Sequence, residues 1–355
     1  ASIEALFAPR LLGRTLSDLG SFFAESLSAL RRLVGMGAEY RALSAVDVAL
    51  WDLAARSDGV PLRRFLNNDS SDAVTVYNSC VGPSYTSTAR VPGDGNFDLT
   101  DPRDDYAAWM SDAGALAHEL VDLGFSAMKL WPFDALAKRV GGEVPTADQL
   151  EEACRPLRQI RDAVGDQIDI MIDGHGLWTP AGAVAVAEAC SVFKVRWIED
   201  LVLAHPLDGL RTLRANTDLP ILASEYLASV EEYSELLEAK VADIVMIDPT
   251  WAGGISHGMR LAGMAAEGGL NVSYHDCTGP VTLLAGATMA SAIPNHDIQE
   301  LARGLFNYAY PDLVDWDCVL RDGRLHLGDA PGLGIEIKAD LSERPGISYR
   351  RLDRR

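Results

Sequence analysis

Residues 168–176 read IDIMIDGHG, an apolar and β-branched run that leads into Asp173. The same pattern returns at 195–200 (VRWIED) and at 220–225 (PILASE), where apolar residues again lead into an acidic side chain. Between these runs lie segments with apolar residues at helical spacing, for example 181–189. Short strands that alternate with amphipathic helices are typical of βα units, so this stretch predicts a parallel sheet.

The alternation extends from about Val74 to about Glu300 and predicts eight strands with helices between them. Eight such units over roughly 230 residues fit a (β/α)8, TIM-like barrel, which typically takes ~250 residues. A doubly wound sheet is the alternative, but it would be unusually long, and no Gly-x-Gly-x-x-Gly follows a strand. The predicted strands are 74–79, 125–130, 168–172, 195–198, 220–224, 242–247, 271–274 and 296–299.

The two ends of the chain lack this alternation. Upstream, Leu16–Leu33 and Ala42–Ser57 have the apolar spacing of amphipathic helices. Downstream of Asp312 there is little helical period, and several glycines and prolines interrupt the chain. Because both ends have to bury apolar faces, we predict that they pack together as one accessory domain. The predicted division is residues 1–70 and 312–355 for this domain and residues 71–311 for the barrel.

The composition excludes several classes of protein. The 355 residues include 31 Lys and Arg against 51 Asp and Glu, a net charge of −20 that repels nucleic-acid phosphates and anionic membranes. No stretch approaches 18 uninterrupted apolar residues, and no basic segment followed by an apolar run opens the sequence. We therefore expect a cytoplasmic protein that binds neither nucleic acid nor membranes. Five widely spaced cysteines predict reduced thiols in the core rather than a zinc site: Cys80, Cys154, Cys190, Cys277 and Cys318.

Polar residues follow nearly every predicted strand, at the end where a barrel gathers its chemistry. Three of them, Asp173, Glu199 and Glu225, lie on successive strands and offer only oxygen ligands. Because converging carboxylates repel one another unless a cation lies between them, they predict a Mg²⁺ site completed by water and substrate oxygens. The alternative is that each is a solvated residue at a strand end. The complete set is Lys129, Asp173, His175, Glu199, Glu225, Asp248, His275 and Glu300.

Asp248 and His275, on the sixth and seventh predicted strands, are predicted to form a proton-transfer pair. A carboxylate that bonds one imidazole nitrogen fixes the tautomer and leaves the other nitrogen as a base. A metal and a base at one mouth are what removal of the proton next to a carboxylate requires, since Mg²⁺ stabilises the resulting enediolate. The histidines away from the strand ends are predicted to be non-catalytic: His118, His205, His257, His296 and His326.

Six ordered motifs span the chain: SAVDVALWDLAARSDGVPLRRFL (44–66), MIDGHG (171–176), WIED (197–200), ASE (223–225), IDPTWAGGI (247–255) and YHDCTGPV (274–281). Together they resemble the mandelate racemase branch of the enolase superfamily. The resemblance implies an α+β capping domain on a modified (β/α)8 barrel, one Mg²⁺ held by Asp173, Glu199 and Glu225, and a His275–Asp248 base. It also implies that Glu300 is an acid near the substrate carboxylate or enediolate, and that the protein is a homo-oligomer with a small-molecule substrate.

Two features select a subgroup within this resemblance. Members with a lysine base commonly carry Lys-x-Lys on the second strand, whereas this sequence has Lys129 followed by Leu130 and Trp131. This weakens a two-base racemase, and Lys129 remains as the expected partner of the substrate carboxylate. The pattern Asp173-Gly174-His175 resembles that of acid-sugar dehydratases, in which this histidine protonates the departing hydroxyl. Residues two apart on a strand share a face, so we expect His175 at the mouth.

The sequence therefore predicts a Mg²⁺-dependent dehydratase of a sugar acid, an aldonate, with His275 as base, His175 as acid, and Lys129 and Glu300 holding the enediolate. The product is a 2-keto-3-deoxy acid. A racemase or epimerase on the same scaffold is the first alternative, and a non-catalytic barrel that acts as a binding module is the second.

Two segments depart from the family pattern or leave specificity open. The family normally opens with a β-hairpin and strand that close over the substrate, whereas this sequence begins in what we expect to be the first capping helix. We therefore expect the first capping strands to lie outside it. Residues 81–105 form a long polar loop after the first barrel strand, in which Tyr85 and Arg90 are candidates for substrate contact.

Overall fold

Eight parallel strands form the centre of the computed structural model, which describes residues 2–30, 37–82 and 104–352. Each strand pairs with the next along the chain from the first to the seventh, and the eighth pairs with the first. The predicted (β/α)8 barrel is therefore confirmed. The strands are β1 Ala73–Ser79, β2 Ala127–Leu130, β3 Asp169–Asp173, β4 Trp197–Glu199, β5 Ile221–Ala223, β6 Ile244–Ile247, β7 Asn271–Tyr274 and β8 Gln299–Leu301.

The eighth strand starts three residues later than the sequence predicts. Residues 296–298 face β7 instead: Val272 forms an isolated parallel bridge with His296 and accepts the Asp297 N–H at 2.8 Å. Only from Gln299 does the chain pair with β1. The start of this segment thus bonds β7, and its end, from Gln299, bonds β1. This arrangement closes the barrel between β7 and β1.

Helices cover the outside of the barrel, and large side chains fill its interior. Tyr77, Met171, Trp197, Leu222 and Met246 belong to one buried cluster contributed by five different strands. The predicted helix at 150–164 is two helices, because the chain breaks at Cys154 and restarts with a proline in its first turn. The helices are α5 Asp105–Asp122, α6 Asp134–Val140, α7 Ala147–Ala153, α8 Arg155–Val164, α9 Pro180–Cys190, α10 Asp208–Arg214, α11 Val230–Ala239, α12 Gly254–Glu267 and α13 Pro280–Ala292.

The N-terminal segment is helical, as predicted, but the amphipathic stretch from Leu16 begins as a 3-10 turn, Leu16–Ser21, before its α-helix. The second predicted helix begins four residues earlier than expected, at Ala38. The α-helices of this segment are α1 Ala8–Leu11, α2 Phe22–Leu30, α3 Ala38–Ser57 and α4 Leu62–Leu66.

The C-terminal segment forms four short strands: β9 Val314–Trp316, β10 Val319–Arg321, β11 Arg324–His326 and β12 Ile335–Ile337. Strand β12 pairs with β9, and Leu62 donates its N–H to the Gly332 carbonyl at 2.6 Å, which ties this segment to the N-terminal helices. The β10–β11 hairpin instead pairs antiparallel with the start of β1. These contacts support a cap made from both ends of the chain. We retain the division into residues 1–70, 71–311 and 312–355 as a proposal.

Helix α3 contacts the start of α12 through a buried polar junction. Ser44 Oγ accepts the Gly253 N–H at 2.9 Å, and the Asp47 carboxylate accepts the Ser256 N–H at 2.9 Å and its hydroxyl at 2.6 Å. Burial raises the pKa of Asp47 to about 6. Gly253 and Gly254 have φ of 96° and 73°, and a Cβ on Gly254 would collide with Asp47. We call these five residues the cap–barrel junction.

Two composition-based expectations have structural outcomes. All five cysteines are free thiols and four are buried, but Cys277 is exposed because it lies three residues beyond the end of β7. The expectation of a core position is wrong for this one cysteine. Among the described residues, no helix has both the length and the apolar character needed to cross a membrane. The cytoplasmic location stays a prediction.

His296, at the closure of the barrel, should make stability depend on pH. Burial disfavours its imidazolium and lowers its pKa to about 4, with a partial offset from Asp297, so the unfolded chain binds this proton more readily. The contribution of the neutral His296 to the free energy of unfolding is fully present above pH ~6.5 and is lost as pH falls towards 4. We expect the free energy of unfolding to lose about 2 kcal/mol between pH 8 and pH 5 from this group alone.

Urea unfolding of the wild type and of His296→Gln at both pH values measures this contribution as a difference in pH dependence. The exposed His118 supplies the matched control, His118→Gln, which should keep the wild-type dependence. Equal pH dependence in all three proteins would contradict the assignment.

Candidate active site

Three carboxylates meet at the carboxyl ends of the barrel strands. Asp173 ends β3, Glu199 ends β4 directly beside it, and Glu225 follows β5 by two residues. One oxygen from each carboxylate lies within 4.8 Å of the others, and all three side chains are buried. The structure therefore brings the three predicted metal ligands together at one point.

The donor set of this cluster suits a divalent metal. Burial raises the pKa of both Glu199 and Glu225, and the negative charge of Asp173 adds to the effect. Glu225 Oε2 is buried without a hydrogen-bond partner in the described part of the chain. A hard cation such as Mg²⁺ prefers carboxylate oxygens as ligands, and three carboxylates converge here. The buried Glu225 Oε2 also needs a partner, so the residues present fit such an ion.

Lys129, on β2, lies against the same carboxylates. Its Nζ is 3.1 Å from Asp173 Oδ2, 3.0 Å from Glu199 Oε1 and 2.9 Å from Glu300 Oε1. Burial alone would lower the pKa of this ammonium, but the charges of Glu199 and Glu300 hold it well above the ordinary value. The Lys129 ammonium is thus buried among four converging carboxylates, counting Glu225.

His275 and Asp248 form the predicted pair. His275 Nδ1 lies 2.6 Å from Asp248 Oδ2, and Asp248 Oδ1 accepts the backbone N–H groups of Thr250 and Trp251 at 2.6 and 3.0 Å. An ionised carboxylate only accepts, so Nδ1 donates and Nε2 is the nitrogen turned to the mouth, 3.7 Å from Glu225 Oε1. Burial would lower the pKa of His275, but the negative charge of Glu225 raises it well above the usual value.

His175 reaches the mouth by a route different from the one that strand alternation suggests. Strand β3 ends at Asp173, and His175 has a left-handed backbone with φ of 48°, so the rule for residues two apart on a strand does not apply. Its Nδ1 lies 2.9 Å from Asp134 Oδ2 and its Nε2 lies 3.8 Å from Asp173 Oδ2. Burial opposes the charged form, but Asp173 and Asp134 raise the pKa of His175 to about 9.

Sequence reasoning missed two groups around the histidines. Asp134 begins α6, four residues past the end of β2, and reads in the sequence as an ordinary acidic residue in the first turn of a helix. Trp251 lies with its ring 5.1 Å from that of His275 and carries the Arg41 guanidinium at 4.1 Å on its ring. Nothing in the spacing of these residues relates them to the histidines. Tyr85 and Arg90, the loop candidates, lie outside the described residues.

Comparison with known proteins identifies the family. Residues 112–341 match the family model described as enolase C-terminal domain-like. The chain belongs to this enolase family. Residues 1–66 also match the N-terminal domain of mandelate racemase / muconate lactonizing enzyme, so the match extends to the capping segment of the enolase-family chain. The branch that the six motifs resemble is thereby confirmed.

Several curated relatives of this enolase-family chain are named as sugar-acid dehydratases. A D-gluconate dehydratase from Thermoproteus tenax is 27% identical over 85% of this chain and 56% of its own length. A D-mannonate dehydratase from Xanthomonas oryzae pv. oryzicola is 26% identical over 97% of this chain and 80% of its own length. The chain thus spans little more than half of the first and most of the second.

Solved structures agree with the fold. An enolase protein from environmental sequencing of the Sargasso Sea superimposes with a TM-score of 0.83 and 34% identity, covering 97% of this chain and 86% of that chain. The enolase-family fold therefore extends over both the barrel and the cap.

Proposed function

We propose that this protein catalyses the Mg²⁺-dependent dehydration of a sugar acid, an aldonate, to a 2-keto-3-deoxy acid. The observation that carries the proposal is that two imidazoles, His275 and His175, each bonded through Nδ1 to a carboxylate, face one cluster of oxygen ligands. They lie at the ends of β7 and β3, which are opposite strands of an eight-stranded barrel. The names of the curated relatives support the reaction class.

Asp173, Glu199 and Glu225 would hold the Mg²⁺ ion, which supplies Lewis-acid stabilisation of the negative charge that develops on the substrate. A cation held by Glu225 would also offset the negative charge that raises the pKa of His275, which would leave Nε2 available as a base. Lys129 provides a buried positive charge beside the substrate carboxylate.

The proton transfers follow from the two histidines. His275 Nε2 takes the proton from C2, while Asp248 holds the ring through Nδ1. The Lys129 ammonium, held by Glu300 at 2.9 Å, stabilises the negative charge of the enediolate formed in this step. His175 then gives a proton to the 3-hydroxyl as the C3–O bond breaks, so one water leaves and the enol product tautomerises to the 2-keto-3-deoxy acid.

Epimerisation at C2 is the second candidate function, and one observation favours it. A proton transfer between the two faces of C2 needs two groups, and carboxylate-bound histidines follow two opposite strands of the barrel, β3 and β7. Trp131 stands where the Lys-x-Lys pattern has its second lysine, the base of that pattern, but His175 is a second group able to carry a proton.

The experiment that separates these functions uses purified protein, roughly 10 mM Mg²⁺ and a library of sugar acids in D₂O. Formation of a 2-keto-3-deoxy product supports the dehydratase and names its substrate. Deuterium at C2 of recovered substrate or its epimer, with no loss of water on any sugar acid, would move the assignment to an epimerase. Silence in both assays across the library would contradict the proposal and favour a binding module.

Magnesium should stabilise the folded protein through the carboxylate cluster. An ion that binds only the folded state adds about 2.7 kcal/mol at 100 times its Kd, so we expect the melting temperature to rise with Mg²⁺ concentration. Asp173→Asn should abolish most of this rise. Asp169→Asn, which alters a carboxylate at the other end of the same strand, is the matched control and should keep it. The same rise in all three proteins would place the ion elsewhere.

A further inference from the structure

The backbone that carries His175 is held in one conformation by β4 and the loop after it. Gly174 donates its N–H to the Glu199 carbonyl at 3.0 Å, and Gly176 donates to the Asp200 carbonyl at 2.6 Å. A Cβ on Gly174 would lie 2.7 Å from a methyl carbon of Leu201, so this turn packs directly against the neighbouring loop. The His175 N–H also bonds the Asp173 carboxylate at 3.0 Å.

The imidazole of His175 is held from a separate element. Asp134, at the start of α6, places Oδ2 2.9 Å from Nδ1, and the Trp131 ring packs edge-on with its centroid 5.8 Å from that of the imidazole. Asp134 is itself buried, and its other oxygen has no hydrogen-bond partner among the described residues. A carboxylate in this position accepts the Nδ1 proton, which directs Nε2 towards Asp173 and the mouth.

We propose that Asp134 is a positioning residue that holds the His175 imidazolium through Nδ1, in the orientation in which Nε2 delivers its proton to the departing hydroxyl. The inference rests on the proposed dehydration, and it gives Asp134 the part towards His175 that Asp248 has towards His275. It follows that Asp134 acts on the second half of the reaction only, because its hydrogen bond is to the acid and the C2 proton goes to the other histidine.

The test is the ratio of two reactions in D₂O with Mg²⁺ and the sugar acid that the wild type dehydrates. In Asp134→Asn, we expect kcat for dehydration to fall about 10–100-fold, while KM changes less than about threefold. Exchange of the C2 proton into recovered substrate should continue, so the ratio of exchange to dehydration rises at least about 10-fold. Glu143→Gln removes an exposed carboxylate three residues past the end of α6 and should leave both rates unchanged.

Three results would overturn the assignment. They are an equal loss of exchange and dehydration in Asp134→Asn, no change in either, and a double variant Asp134→Asn/His175→Asn that is much slower than His175→Asn alone. The last would mean that Asp134 acts other than through His175. Melting temperatures of all variants identify a loss of activity that follows from unfolding.

A second measurement does not depend on turnover. Protein labelled with ¹⁵N-histidine should show a downfield Nδ1–H proton signal that disappears in His175→Asn, which assigns it, and in Asp134→Asn, but persists in Glu143→Gln. If the wild type neither dehydrates nor exchanges any sugar acid, the proposed function fails and this signal alone decides the orientation. A signal that persists in Asp134→Asn overturns the role of Asp134.

Discussion

The His275→Asn variant is expected to lose both dehydration and C2 exchange, each by about 10²–10⁴-fold, because both reactions begin with the proton that His275 removes. Asparagine keeps much of the size of the imidazole and can still bond Asp248, so the fold should persist. Product formation and deuterium uptake at C2, measured on the same sample, report the two reactions together. This pattern differs from that expected for Asp134→Asn, where exchange survives.

The control for this variant is His118→Asn on an exposed face of α5, which should match the wild type in both assays. Circular dichroism and the melting temperature should be close to wild type in both variants. Exchange that continues at the wild-type rate in His275→Asn would remove the Asp248–His275 pair from the mechanism.

The Lys129→Met variant is expected to be the most destabilised of the site variants. In the wild type, the Lys129 ammonium lies within 3.1 Å of three buried carboxylates. Removing one partner of a buried ion pair typically costs about 3–5 kcal/mol. Methionine fills a similar volume, so the loss should come from uncompensated negative charge rather than from a cavity. We expect the free energy of unfolding in EDTA to fall by about this amount, and dehydration to be lost.

Because the destabilisation is electrostatic, Mg²⁺ should recover part of the lost free energy of unfolding by neutralising Asp173 and Glu199. Urea unfolding with EDTA and with Mg²⁺ measures both effects. Lys138→Met, at an exposed position in the last turn of α6, should change neither. A loss of stability that Mg²⁺ does not reduce would indicate a packing defect instead.

Most of the barrel can be predicted from the sequence because each strand is a short apolar run whose polar end repeats at the same face. This rule locates Asp173, Glu199, Asp248 and His275 without reference to any contact. It is less exact for β8, whose first residues bond one neighbour and whose last residues bond another. Nor does it apply to the C-terminal segment, where most strands, such as VDW (314–316) and IEI (335–337), mix charged with apolar residues and contain no apolar run.

The second histidine pair shows where pattern reading stops. The mouth position of His175 depends on a left-handed residue held by backbone bonds to the next strand, and Asp134 reaches it across 41 residues of chain. Neither feature follows a periodic pattern or a fixed spacing in the sequence. Both are tertiary contacts, so only the folded coordinates reveal them.

The cap–barrel junction limits how freely the two parts of this protein can be recombined. Ser44 and Asp47 of the cap bond backbone and side-chain groups at 253–256, five residues beyond the carboxylate that orients His275. A chimaera that takes its first 70 residues from a relative inherits a foreign partner for Gly253 and Gly254, where even a methyl group has no room. A chimaera designed for new substrates therefore has to take residues 253–256 from the same donor as helix α3.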